Sequence, residues 1–167
     1  IVNVVDSMIA REVHCGIYLN AGREVGVAST KCFTSQLIVL CMTAVFFAQI
    51  KGINSNKRKH YLKGLHQIAQ DIRNTINNSH EICKEVANFL AEKEHCFVLG
   101  KDKYRAIAKE GSLKMKEIGY IHAEPYGLLS LRHGPYSLIE DDTPILILAP
   151  DNQDFQTVTS VIEEINS

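Results

Sequence analysis

The sequence has no excess of charge of either sign. Its 167 residues carry 18 Lys and Arg against 19 Asp and Glu, a formal net charge of -1. Nucleic acid and anionic lipid surfaces are recognised through a basic excess, so neither is expected as a partner. The one short basic cluster, Lys57-Arg58-Lys59-His60, reads as a solvated helix start. The five cysteines, Cys15, Cys32, Cys41, Cys83 and Cys96, contain no C-x-x-C pair, and their number is odd. Three lie in apolar runs, where Cys behaves as a small hydrophobe. A disulfide framework or a zinc site is therefore not expected, and a reduced cytoplasmic chain is. There is no low-complexity segment, and the N-terminus lacks the charged-then-apolar pattern of a signal peptide.

What is present is ordinary globular material, 46% hydrophobic and 22% charged, enough for one compact domain or parts of two. The chain starts at Ile1 inside a strand-like run and ends at Ser167 directly after an amphipathic run, so a longer protein is expected. Residues 1–5 are β-branched and read as a buried strand; 16–19 read as a weaker one. A glycine-punctuated loop, 20–30, follows. Residues 31–50 predict a helix apolar on nearly every face. Its strictly apolar part, 37–48, is too short for the roughly 20 residues of a membrane span, so a buried helix between layers is expected.

Asn54-Ser55-Asn56 reads as a break and an N-cap. Leu62, Leu65, Ile68, Ile72 and Ile76 then follow helical spacing, which predicts a linking helix over 54–79. A separate helix is expected over about 80–93, a strand over 95–100, a helix over 104–119, and an apolar strand over 143–150. A last helix over 154–165 would turn Phe155, Val158, Ile162 and Ile165 inward. Strands without alternation, each followed by a helix, predict an α/β fold with a parallel sheet covered on both faces. The pattern runs twice, giving the end of one α/β unit (1–53), the linking helix, and the start of a second (80–167).

Two segments follow strand carboxyl ends, where open parallel sheets bind ligands. In the first, the N–H groups around Ala28-Ser29-Thr30 either cap a helix or face an anion or sugar hydroxyl. In the second, a buried stripe is expected at Ile107, Gly111, Met115 and Ile118. Glu110, Lys114 and Glu117 line its edge, with Lys109 and Lys116 on the solvent side. By spacing alone such a row is an intrahelical salt-bridge ladder. Beside a cleft, a partly desolvated Glu next to Lys could move a proton on a carbon adjacent to a carbonyl. His133, in Arg132-His133-Gly134-Pro135, is held in a turn and suits acid–base work on a sugar ring, or is structural. His122, Glu124 and His133 lack a metal-ligand spacing, so no metal is expected.

Two stretches carry a family resemblance. They are Asn20-Ala21-Gly22-x-Glu24-Val25-Gly26-Val27-Ala28-Ser29-Thr30-Lys31-x-Phe33-Thr34-x-Gln36-Leu37 and Glu110-Gly111-x-Leu113-Lys114-x-Lys116-Glu117-Ile118-x-Tyr120-Ile121-His122-Ala123-Glu124. Together they closely resemble the isomerase region of the glutamine:fructose-6-phosphate amidotransferases, built from two sugar-isomerase (SIS) subdomains. The resemblance implies a three-layer α-β-α SIS fold with a flavodoxin-like parallel sheet, at the end of one subdomain and the start of a second. It implies glucosamine 6-phosphate formation from fructose 6-phosphate and glutamine-derived ammonia, with no cofactor. The family's catalytic glutamate falls on Glu117, the lysine beside it on Lys114, and the ring-opening histidine on His133. That histidine serves the neighbouring subunit's site, which implies a homodimer. Val27 falls on a position whose backbone contacts the sugar. The glutaminase domain, the phosphate-cradling loop and the imine-forming lysine tail would lie outside this chain.

This chain departs from the family pattern at Ser130 and Arg132, where Glu and Lys are usual, and at Asp102, where Gly is usual. Pro125 and Tyr136 also differ. These departures keep a second reading open, a non-catalytic SIS module that binds a phosphosugar.

Overall fold

The computed structural model describes residues 1–150 and 155–166, which form two compact units, Ile1–Ile82 and Cys83–Ser167. In the first unit the expected strand over 1–5 does not form. Val2 makes a single parallel bridge with Tyr18, and Val4 and Val5 stay exposed. A β-branched run becomes a strand only through a ladder partner, and here it meets one residue. The short helix α1, Met8–Glu12, is capped by the Ser7 side chain, which accepts from the Ala10 amide.

Helix α2, Lys31–Ile50, forms where the sequence predicts it, but it is not the buried helix expected. Only Cys32 and Val45 are buried, while Leu37, Leu40, Met42, Phe46, Phe47 and Ile50 are exposed. It is long and apolar enough to cross a membrane, and 6% of its apolar window is buried. Among the described residues of this unit, no sheet lies over it. Its C-terminus closes in a Schellman turn: Gly52, at φ +65°, donates to Gln49 O, and Ile53 donates to Ala48 O at 2.9 Å. Asn54 then caps the next helix through Oδ1, which accepts from the Lys57 amide at 3.1 Å, as the break at 54–56 predicts. Arg58 ties the corner by donating to Ala48 O and Ile53 O.

Helix α3, Ser55–Leu90, runs unbroken through the expected gap at 79–80. Asn77, Asn78 and Ser79 are weak helix formers, but neither Gly nor Pro lies among residues 65–90, so nothing forces a break there.

The second unit is built on β1, His95–Gly100, in the middle of a three-stranded parallel sheet of order β2-β1-β3. The expected strand over 143–150 is β3, Ile145–Leu148. The sequence reading missed β2, His122–Gly127, because Pro125 argues against a strand. An edge strand tolerates it. Pro125 sits opposite Val98, and Cys96 opposite Ala123. Helix α4, Lys103–Lys114, connects β1 to β2, and α5, Phe155–Ile165, follows β3. The expected first residue of that last helix, Asp154, lies outside the described residues.

Successive β1 residues face opposite cores. Phe97 and Leu99 pack with Leu128, Leu131, Val158 and Val161 on the α5 side. Cys96 and Val98 pack with Leu90, Ala108 and Ala123 on the side of α4 and the last turns of α3. This is a three-layer α-β-α arrangement. Two stripes differ from expectation by a shift around their helices. On α4 the buried positions are Ala108 and Ser112, while Ile107 and Ile118 are exposed. On α5 they are Val158 and Val161, while Phe155 and Ile162 are exposed. Small residues sit against the sheet where the helix approaches closely, and the larger side chains are displaced to the flanks.

Two local strains are visible. Asp102 has φ +49° and ψ -118°, a conformation suited to glycine. Ser112 is fully buried and its Oγ has no hydrogen-bond partner. Asp102→Gly should stabilise the unit by about 1 kcal/mol by relieving the left-handed backbone. Ser112→Ala should be neutral or stabilising by up to about 1 kcal/mol, because an orphaned hydroxyl leaves the core. Urea midpoints check both; a loss of stability in either variant would contradict the reading of that residue.

Candidate active site

In the first unit the glycine loop is held from both ends. Asn3 donates to Gly22 O at 2.6 Å and accepts from the Ala21 amide at 3.0 Å. Gly22 takes φ +72°, which a side-chain-bearing residue adopts only with strain. The N-terminus of α2, one candidate anion site, is already occupied by a carboxylate of this chain. Glu24 Oε1 accepts from the Thr30 amide at 2.7 Å and the Cys32 amide at 3.2 Å. The Cys32 thiol, then the Thr30 amide, hold the Glu24 carboxyl down at about 2, from an ordinary 4.5. The same contact pushes the Cys32 thiol up. Sequence reasoning missed this cap because Glu24 lies six residues before Thr30, outside the capping-box spacing. Val27, in the same loop, is 92% exposed.

In the second unit, α4 starts beyond the carboxyl end of β1 and runs back to the amino end of β2. At its end the chain widens into a π-turn, Met115–Gly119, closed by the Tyr120 amide on Met115 O. Tyr120 is left-handed at φ +54°. Isolated π-turns recur at functional sites because one extra residue re-aims the helix face. Here the turn carries Glu117. The acid–base–acid row therefore lies toward the strands' amino ends, not at the carboxyl end where the general rule for parallel sheets would put it.

The row is a clamp on one ammonium group. Lys114 Nζ lies 3.2 Å from Glu110 Oε1 and 2.7 Å from Glu117 Oε2. The three side chains are 20–25% exposed, a half-buried edge rather than a solvated face. The bond from Glu117, then the contact with Glu110, push the Lys114 ammonium up, so it stays charged. Glu117 is thus fixed through Oε2, while no hydrogen bond reaches its Oε1 among the described residues. A carboxylate held by one oxygen and open at the other has the geometry of a positioned base. Lys116 points away, to Glu124 at 3.5 Å.

His133 is not brought to this row. It follows the turn Ser130–Arg132, on a segment that packs through Leu131, Tyr136 and Ile139 against the α5 side of the sheet. The helix bearing Glu117 covers the opposite face. One copy of the unit therefore holds the two on either side of its sheet. His122 and Glu124 stand on β2 with Nε2 and Oε1 3.5 Å apart, and His122 Nδ1 faces His95 Nδ1 at 3.2 Å. No group of three or more His, Cys, Asp or Glu among the described residues is arranged to hold a metal ion.

Residues 89–166 match the SIS domain family. The chain is 38% identical over 165 residues to the isomerizing glutamine–fructose-6-phosphate aminotransferase of Photorhabdus laumondii, covering 99% of this chain and 27% of that protein. It is 40% identical over 167 residues to the Chlorobaculum tepidum protein of the same name, again over 27% of its length. The chain spans about a quarter of the length of the curated relatives it matches. The solved C-terminal domain of the glucosamine-fructose-6-phosphate aminotransferase from Francisella tularensis superposes with a TM-score of 0.92 at 34% identity. That match covers 98% of this chain and 46% of the other. The SIS fold and the likeness to part of an isomerising aminotransferase therefore agree with the resemblance seen in the two sequence motifs.

The Glu24 cap sets an acid limit on the first unit. Its folded-state value lies below its unfolded one, so its contribution is complete above about pH 4.5 and is lost as pH falls toward about 2. Glu24→Gln should lower the helical stability of the protein at pH 7 and flatten its dependence on pH between those values. Circular dichroism melts across pH 2–7 measure this; an unchanged acid limb in the variant would contradict the cap.

Proposed function

We propose that this chain supplies the proton-transfer part of the isomerase site of a glutamine–fructose-6-phosphate aminotransferase. The substrate is fructose 6-phosphate, the nitrogen comes from glutamine as ammonia, and the product is glucosamine 6-phosphate. The observation that carries the reading is Glu117, fixed to Lys114 by one oxygen and open at the other, in a chain matched along its length by enzymes of that name. Ammonia adds at the sugar's C2 carbonyl and water leaves, giving an imine that is protonated on nitrogen. Glu117 then takes a proton from C1, leaving an enolamine, and returns one to C2. That creates the amine at C2 and the aldehyde at C1. Lys114 holds the carboxylate aligned between the two carbons.

His133 assists ring opening in the site of a second copy, which makes the working form a homodimer. The placement of His133 and Glu117 on opposite faces of one sheet supports this arrangement. Val27, exposed in the glycine loop, offers its backbone to the sugar in this reading. The glutaminase half and the remaining substrate contacts belong to other parts of the enzyme. We infer a cytoplasmic setting from five cysteines that are all free thiols.

In the complete enzyme, Glu117→Gln should lower glucosamine 6-phosphate formation by about 10²- to 10⁴-fold, the usual worth of a positioned base. Glutamine hydrolysis should persist. Coupled assays of the two half-reactions check this. Loss of both, or of neither, would overturn the role of Glu117. Phosphosugar binding by the native protein with no glucosamine 6-phosphate formed would favour the non-catalytic module.

A further inference from the structure

Two side chains flanking His133 converge on one residue of α5. Arg132 pairs with Glu164 through Nη2 and Oε2. Tyr136 donates its hydroxyl to the backbone carbonyl of the same Glu164 at 2.6 Å. Between these anchors the chain is pinned to itself. The His133 amide donates to Ser130 O at 3.1 Å, and the Ser137 hydroxyl donates to Gly134 O at 2.8 Å. Leu131, next to Arg132, is buried in the core, and Tyr136 packs against it. Gly134 takes φ +131°, which lets the chain reverse direction directly after the histidine.

The imidazole of His133 is exposed and makes no hydrogen bond among the described residues. A ring with no bond of its own is oriented only through the backbone that carries it. That backbone is held from before by Arg132 and from after by Tyr136, both on one carboxyl-terminal turn of α5. We propose that Arg132, Tyr136 and Glu164 form a strap that positions His133 for its work in the second copy's site. The strap rests on the ring-opening role given to His133 above. These are positioning residues, since none of them need touch sugar. Arg132 supplies the charged point of attachment through its contact with Glu164. An exposed ion pair alone adds little, and the partly buried Tyr136 bond supplies the second point of attachment.

The strap is tested by amide hydrogen exchange on the full chain. In the double variant Arg132→Ala with Tyr136→Phe, exchange at His133 and Ser137 should rise about tenfold, the effect of losing one charged and one neutral bond. Exchange along β1 should not change. Arg132→Lys in the otherwise native chain should retain most of the protection, because an ammonium still meets Glu164. In the complete enzyme the double variant should lower kcat more than it raises KM for fructose 6-phosphate. It should have no further effect in a His133→Gln background. Native exchange at 133–137 beside an inactive His133→Gln enzyme would sink the strap alone. Equal acceleration along β1, or an equal rate loss in the His133→Gln background, would reduce it to general stability and overturn the proposal. A native rate in His133→Gln would remove the role of His133 itself, and the strap's purpose with it.

Discussion

The second unit depends on one strand. β1 is flanked by parallel strands on both sides, and its residues from Cys96 to Leu99 are buried on both faces. Everything with chemical interest hangs from what those two faces hold. The face of Cys96 and Val98 takes α4 and, at its end, Glu117. The face of Phe97 and Leu99 takes the segment that carries His133. Emptying a site such as Leu99 costs about 2–5 kcal/mol. That is a large part of the roughly 5–15 kcal/mol that holds a domain folded. The sheet therefore keeps the Glu117 and His133 segments on opposite faces.

Within the Glu117 side, the ion-pair row acts on direction more than on stability. Pairs of this kind on a helix edge contribute only a few tenths of a kcal/mol each. Lys114 is nonetheless bracketed by two carboxylates at 3.2 Å and 2.7 Å, which fixes where its ammonium sits. The π-turn supplies the complementary constraint. It ends the helix in the left-handed Tyr120 and delivers the chain into β2 with the Glu117 carboxylate still beside Lys114. The position of Glu117 is thus set by backbone geometry on one side and by an ammonium on the other.

Much of this was legible in the residues. The β1 run His95–Gly100 and the i, i+4, i+7 row at Glu110, Lys114 and Glu117 are local patterns, and local patterns survive folding. The turn before α3 was legible for the same reason, since Asn54 caps within its own segment. What was not legible depends on contacts distant in sequence. Pro125 hid an edge strand whose existence follows only from pairing with β1. The β-branched start, 1–5, lacks a ladder and so lacks a strand. The long apolar run of α2 promised burial, but burial needs a covering surface that helical periodicity does not reveal. Arg132 and Tyr136 gave no hint of Glu164, which lies 32 and 28 residues away. The separation of His133 from Glu117 by the sheet is likewise a property of topology, invisible in spacing.

The most direct test of a site shared between copies is complementation. Glu117→Gln and His133→Gln variants of the complete enzyme, each inactive alone, would be co-expressed and assayed for glucosamine 6-phosphate. If each copy lends its histidine to the other's glutamate, a mixed dimer holds one site with both native residues. With random pairing, about one quarter of the native activity should return, since half the dimers are mixed and each has one working site of two. No recovery, with mixed dimers demonstrated by mass, would contradict the shared site and require both residues to act within one copy.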